Sequence, residues 1–216
     1  MIVGLVPAAG RSSRFGSNKL LQRLGSQTVL EHVVRALRQG GASAVLVILS
    51  TANAQAAPCV EQAGATPVVL EHPTADMRET VEAGLWWWAR QRGRAEAWLL
   101  CPADYPAISA EVVRQLIAAY RAGRRECVYV PTYQGRRGHP VLLDWSHVER
   151  LWQFPRPGGI NAYVRQQRVV EVAVACAGIL YDLDTVEDLA RIRTLGEGSL
   201  QSATGVCDNA TTPPQG

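Results

Sequence analysis

Residues 1–19 carry the strongest folding instruction in the chain. Met1–Pro7 is an unbroken apolar run, and it opens at once into Ala8-Ala9-Gly10-Arg11-Ser12-Ser13-Arg14-Phe15-Gly16-Ser17-Asn18-Lys19. An apolar run followed by small residues and cations reads as a buried strand that ends in an anion-binding loop. Ala8, Ala9 and Gly10 carry almost no side chain, so their backbone N–H groups can approach a phosphate closely. Ser12 and Ser13 add hydroxyl donors. Arg14 offers a bidentate fork and Lys19 a point charge, both suited to a polyanion.

Two common phosphate loops do not fit. The P-loop requires G-x-x-x-x-G-K-[ST], whereas Gly10 to Gly16 is one residue too long and Ser17-Asn18 separate Gly16 from Lys19. The dinucleotide fingerprint G-x-G-x-x-G fails because Ser12 stands in place of its second glycine.

The rest of the chain alternates apolar strand-like runs with helical periodicity. Ala44–Ser50, Thr66–Leu70, Ala97–Cys101, Glu126–Pro131, His139–Leu143 and Val169–Val174 read as strands. Helices are expected around residues 29–39, 54–63, 76–92, 146–152, 159–167 and 186–195, with a further one starting from Ser109 as its N-cap. This alternation predicts an α/β fold in three layers: a mostly parallel twisted sheet with helices on both faces. One domain is expected over residues 1–195, followed by a disordered tail over 196–216, which is small, polar and Pro-containing. In Trp86-Trp87-Trp88 the three rings cover most of the helix circumference, so either one of them lies at the surface or an interface, or all three pack into the core and neighbouring loops.

Composition narrows the partners. A net charge of +3 does not suggest a nucleic-acid binder. The five cysteines are scattered with no C-x-x-C, which suits free thiols in a reducing compartment rather than a disulfide frame or a zinc site. No apolar run approaches the roughly 20 residues of a membrane helix. A cytoplasmic protein is the expectation.

In parallel sheets, ligands gather at the carboxyl ends of the strands, and two further stretches fall there. Pro102-Ala103-Asp104-Tyr105-Pro106 holds one carboxylate between two prolines, a hard oxygen ligand suited to Mg²⁺. In Tyr181-Asp182-Leu183-Asp184-Thr185 the two aspartates alternate, so in an extended chain they point to opposite sides and one of them faces a metal. A further stretch, Pro131-Thr132-Tyr133-Gln134-Gly135-Arg136-Arg137-Gly138-His139-Pro140, carries Arg136, Arg137 and His139 together.

Taken in order, these motifs resemble those of the MobA-like nucleotidyltransferases, most closely the molybdenum cofactor cytidylyltransferases, from about residue 2 to residue 194. The opening loop resembles the family's A-A-G-x-S-x-R-x-G-x-x-K signature. The stretch around Asp104 resembles its G-D-x-P metal loop, departing at Ala103 and Tyr105. Residues 182–189 resemble its D-x-D-T-P-E-D-L stretch, and residues 131–140 its P-x-Y-x-G-x-x-G-H-P segment. A weaker match, His72-Pro73 through Met77, Thr80 and Gly84, departs from the family pattern at Arg78-Glu79 and Thr80.

The resemblance implies a Rossmann-like nucleotide-diphospho-sugar transferase fold. It implies Mg²⁺-dependent transfer of a nucleoside monophosphate onto the phosphate of molybdopterin or its molybdenum form, with release of pyrophosphate. Arg14, Lys19 and Asp104 are then the catalytic residues. Ala8, Ala9, Gly10, Ser12, Ser13, Arg14 and Lys19 would bind nucleotide, and Asp104 with Asp184 the metal, Asp182 being the second choice. Arg136, Gly138, His139 and Asp182 would face the acceptor. Ala9 resembles the CTP users rather than the GTP users. A molybdenum hydroxylase apo-enzyme is an implied partner. Two other readings stay open: the same transfer onto a sugar or alkyl phosphate, and a non-catalytic cofactor carrier or chaperone.

Overall fold

The computed structural model describes residues 1–10, 19–156, 158–185 and 187–192. The chain runs β1 (Ile2–Ala8), a small ribbon of β2 (Arg23–Leu24) and β3 (Gln27–Thr28), and α1 (Val29–Gln39). It continues through β4 (Ala44–Ser50), a 3-10 segment (Thr51–Ala56) leading into α2 (Ala57–Gln62), β5 (Thr66–Leu70), α3 (Met77–Arg92), β6 (Ala97–Leu100) and α4 (Ala110–Ala122). Then come β7 (Val128–Tyr133), β8 (Arg136–Arg137), β9 (Val141–Asp144), α5 (His147–Gln153), α6 (Ile160–Arg165) and β10 (Val169–Ala173). The tail expected from residue 196 lies outside the described residues.

Every residue of β1 is buried, as its apolar run requires. It lies inside the sheet, parallel to β4 on one side and to β6 on the other. The strand order is β10-β7-β9-β6-β1-β4-β5, with β8 pairing to β7. The long strands are parallel except β9, which runs antiparallel to both β6 and β7.

The reversal of β9 follows from a turn. Gln134 and Gly135 both adopt positive φ, 49° and 74°, and send the chain straight back along β7. The returning strand is interrupted at 138–140. Thr132 pairs with Arg137 and Tyr129 with Leu142, so three residues along β7 match five on the return. Such a two-residue bulge re-aims side chains at a sheet edge, and His139 sits in it.

Alternate strand residues feed two cores. Ala97 and Leu99 join α1, α2 and α4 on one face, while Trp98 and Leu100 join α3, α5 and α6 on the other. This is the three-layer arrangement expected from the sequence. A Cβ on Gly84 would collide with Leu5 and Ile48, so its missing side chain is what lets α3 lie close on β1 and β4. The N-termini of α1, α3 and α4 are capped by Thr28, Asp76 and Ser109. Among the described residues no helix is long and apolar enough to cross a membrane.

Candidate functional site

The loops after β1 and β6 leave the sheet side by side, because these strands are neighbours. The Ala103 N–H donates to the carbonyl of Pro7 at 3.3 Å, joining the two loops. The methyl of Ala103 is buried in the core, so this departure from the family's glycine is absorbed by packing. Asp104 follows, and its backbone carbonyl accepts from the Leu183 N–H at 2.8 Å. Leu183 is fully buried among Val29, Leu189 and Ile192, so hydrophobic burial presses the 181–185 segment against the Asp104 loop. The Asp188 carboxylate accepts from the backbone N–H groups of Asp184 and Thr185 at 3.2 and 2.8 Å. This cap holds Asp184 in place.

These constraints bring Lys19, Asp104 and Asp184 together. Lys19 Nζ donates to Asp104 Oδ2 at 2.8 Å, to the Leu183 carbonyl at 2.9 Å and to Asp184 Oδ1 at 3.2 Å. Burial works against the ammonium, but the carboxylates of Asp104 and Asp184 outweigh it and the Lys19 pKa is raised. From the sequence, Lys19 was expected on the phosphate side, across the reacting centre from the aspartates. In this structure it sits between the two aspartates instead, because partly buried carboxylates need a charge partner.

The two aspartates around Leu183 have different neighbours. Asp184 meets Lys19. Asp182 exerts the strongest carboxylate influence on Tyr105, whose hydroxyl is pushed up chiefly by burial and then by Asp182. Burial also raises the Asp182 pKa, with Asp184 and Asp104 adding to the effect.

Both carboxylates reach one cation, the Lys19 ammonium, so their oxygens can be shared by a hard metal ion. No group of three or more His, Cys, Asp or Glu side chains able to hold a metal exists among the described residues. A divalent ion at Asp104 and Asp184 would therefore complete its shell with ligand or water oxygens, a common arrangement for Mg²⁺.

A cleft of about 500 Å³ opens beside this cluster. Residues 7–10, Lys19, Leu20, 50–52, 73–77, Thr80 and 102–104 line it. Ala8, Ala9 and Gly10, expected from the sequence to meet nucleotide, are among these lining residues. Ser12, Ser13 and Arg14 lie outside the described residues. Thr80, from the weaker of the sequence matches, is buried on the wall and pairs its hydroxyl with that of Thr74 at 2.7 Å.

The acceptor-side candidates separate into two groups. His139 lies beside the Asp104 loop, its ring packing edge-on against Tyr105 at 4.8 Å between centroids. Burial pushes its imidazole down to about 4. It is thus neutral at pH 7 and would meet a ligand by hydrogen bonding. Its Nδ1 is buried and has no hydrogen-bond partner among the described residues. Arg136 is exposed on the hairpin, and Arg137 pairs with Glu171 at 2.8 Å. Gly138 has a packing role: its N–H donates to the Pro131 carbonyl at 3.0 Å, and a Cβ there would strike the Ile179 carbonyl.

Sequence reasoning missed the contribution of β4. Ser50, at its C-terminal end, places a buried hydroxyl on the cleft with no hydrogen-bond partner among the described residues. Asn53 donates to two backbone carbonyls of the opening loop. The signal was available, since the strand after a βα unit usually lies beside the first and its C-terminal loop faces the same cleft.

The chain's relatives share this architecture. A family model described as the MobA-like NTP transferase domain matches residues 4–172. A probable molybdenum cofactor guanylyltransferase of Opitutus terrae is 30% identical over 128 residues, a match that spans 57% of each protein. The crystal structure of Rv0371c from Mycobacterium tuberculosis has a TM-score of 0.69 at 28% identity, covering 89% of this chain and 97% of that one. A manganese complex of Rv0371c matches with a TM-score of 0.66 at 28% identity, covering 89% and 98%. A nucleotidyl transferase from Methanothermobacter has a TM-score of 0.76 at 19% identity, covering 94% and 99%, a likeness of fold. Matched over most of its length, the chain belongs to the MobA-like NTP transferase family and is a nucleotidyltransferase.

Proposed function

We propose that this enzyme transfers CMP from CTP to the terminal phosphate of molybdopterin or its molybdenum form, releasing pyrophosphate. The observation that carries the reading is the convergence of Lys19, Asp104 and Asp184 beside the cleft. The name of the Opitutus terrae relative supports the cofactor as acceptor.

In the transfer, an oxygen of the acceptor phosphate attacks the α-phosphorus. The bond to the bridging α–β oxygen breaks, and pyrophosphate leaves with that electron pair. The attacking phosphate is already anionic, so no strong general base is needed. Geometry and charge neutralisation do most of the work. The backbone of residues 8–10 receives the nucleotide, and Lys19 and Arg14 neutralise the phosphates. Asp104 and Asp184 hold a divalent ion, Mg²⁺ in our reading, which when bound polarises the α-phosphate. The manganese complex of Rv0371c favours a divalent ion in this fold. Tyr105, His139 and Asp182 lie on the acceptor side of Asp104, with Arg136 and Gly138 on the adjoining hairpin. The reaction is assigned to the cytoplasm, where its nucleotide substrate is made.

The base rests on Ala9, which resembles the CTP users. The relative from Opitutus terrae is named a guanylyltransferase, and this favours a second reading with GTP. Pyrophosphate release from CTP and GTP, each with molybdopterin, with a sugar phosphate and with no acceptor, tests both substrates. Turnover with CTP and molybdopterin is the expected result. Turnover only with GTP transfers the assignment to the second reading, and turnover only with a sugar phosphate removes the acceptor assignment. Tight nucleotide binding without any turnover would point to a carrier.

A further inference from the structure

Asn53 lies in the 3-10 segment after β4 and is only 7% exposed. Its Nδ2 donates to the Ala8 carbonyl at 2.8 Å and to the Gly10 carbonyl at 3.0 Å. Two carbonyl acceptors require the NH₂ end of the amide, so the orientation of Asn53 follows from its partners. These bonds span the point where β1 gives way to the loop, and they tie it to the strand beside β1.

A planar trans peptide points its carbonyl and the following N–H in opposite directions. With the Ala8 carbonyl drawn to Asn53, the Ala9 N–H is turned away from it. Ala8, Ala9 and Gly10 line the cleft and Asn53 does not. The side chain thus keeps the negative ends of two peptide dipoles directed away from the cleft and leaves donors for an anion. Without that tie, either peptide could rotate and present a carbonyl oxygen to a phosphate.

We propose that Asn53 is a positioning residue for nucleotide binding: it sets the backbone of residues 8–10 from behind, without touching the ligand. The inference rests on the nucleotidyltransferase reading of the cleft. Such a residue supports the ground state and the transition state alike, so its loss raises KM with little effect on kcat.

The test uses the full chain as Asn53→Ala and as Asn53→Asp, a nearly isosteric change that sets a carboxylate against two carbonyl oxygens. Binding of CTP and of GTP with Mg²⁺ is titrated by calorimetry without acceptor, alongside thermal melts. Both variants should still fold and melt cooperatively, at a somewhat lower temperature because the Ala8 and Gly10 carbonyls lose their donor. Affinity for the preferred nucleotide should fall about tenfold or more, the worth of one or two hydrogen bonds. Asn53→Asp should bind no better than Asn53→Ala, and KM should rise while kcat stays within about twofold. Parent-like affinity in either variant overturns the proposal. So does loss of the folded state in both, which would make Asn53 a structural residue. If the parent chain binds neither nucleotide, the reading of the cleft itself fails, an outcome distinct from these.

Discussion

Lys19 Nζ stands 2.8 Å from Asp104 Oδ2, so the lysine expected to meet phosphate and the aspartate expected to meet metal form one ion pair. Asp184 completes the cluster at 3.2 Å. A cation approaching the aspartates must compete with the ammonium, and a triphosphate offers that ammonium an alternative partner. Metal and nucleotide binding should therefore support each other.

This coupling is open to measurement. In the parent chain, Mn²⁺ binding followed by electron paramagnetic resonance should be weak alone and strengthen about tenfold or more when CTP or GTP is added. Lys19→Gln removes the competing charge, so it should bind Mn²⁺ more tightly without nucleotide and bind nucleotide less tightly. Equal Mn²⁺ affinity in the two proteins would show that the lysine does not guard the site.

Acid should weaken the fold through its buried histidines. His139 titrates at about 4 against an ordinary 6.5, chiefly because of burial. His147 is also lowered by burial; its ring contacts the Tyr163 hydroxyl at 2.7 Å and the Glu126 carbonyl at 3.2 Å. A depressed histidine binds its proton more weakly when folded than when unfolded. Its contribution is therefore fully present above about 6.5 and is lost as pH falls towards its folded value. For His139 the loss is of the order of 3 kcal/mol by pH 4. Asp182, raised by burial, acts in the opposite sense. Melting temperatures from pH 7.5 to 4 should fall in the parent and fall less steeply in His139→Gln.

Arg78 should prove structural. It is 1% exposed and donates to Glu82 at 2.7 Å, as well as to the carbonyls of Leu151, Phe154, Pro155 and Gly158. One guanidinium thus closes the C-terminal end of α5 and the loop after it. Arg78→Ala would leave several buried carbonyls and the Glu82 carboxylate short of a partner, at about 3–5 kcal/mol. Chemical denaturation measures this directly.

The same arginine marks a limit of sequence reading. At Arg78-Glu79 the chain leaves the family pattern, and nothing local says that a charged residue there is buried. Its carbonyl partners lie more than 70 positions away, at the end of α5 and on the loop after it, whose course only the fold defines. Ala103 is similar: it breaks a motif, yet its methyl packs into the core beside β1. What could be read was whatever local chemistry decides. The apolar run of β1 and the helix start at Ser109 appear as expected. The antiparallel course of β9 was not legible, because it depends on the positive φ of Gln134 and Gly135. Nor was the role of Asn53, whose partners are backbone carbonyls from another strand's loop.

The central claim is metal-assisted nucleotidyl transfer at Asp104. The most direct measurement is the rate of pyrophosphate release with Mg²⁺, a nucleotide and molybdopterin, in the parent and in Asp104→Asn. The parent should turn over, and the variant, still folded and still melting cooperatively, should lose on the order of 3 kcal/mol of transition-state stabilisation, a hundredfold or more in rate. A folded Asp104→Asn enzyme working at the parent's rate would contradict the account.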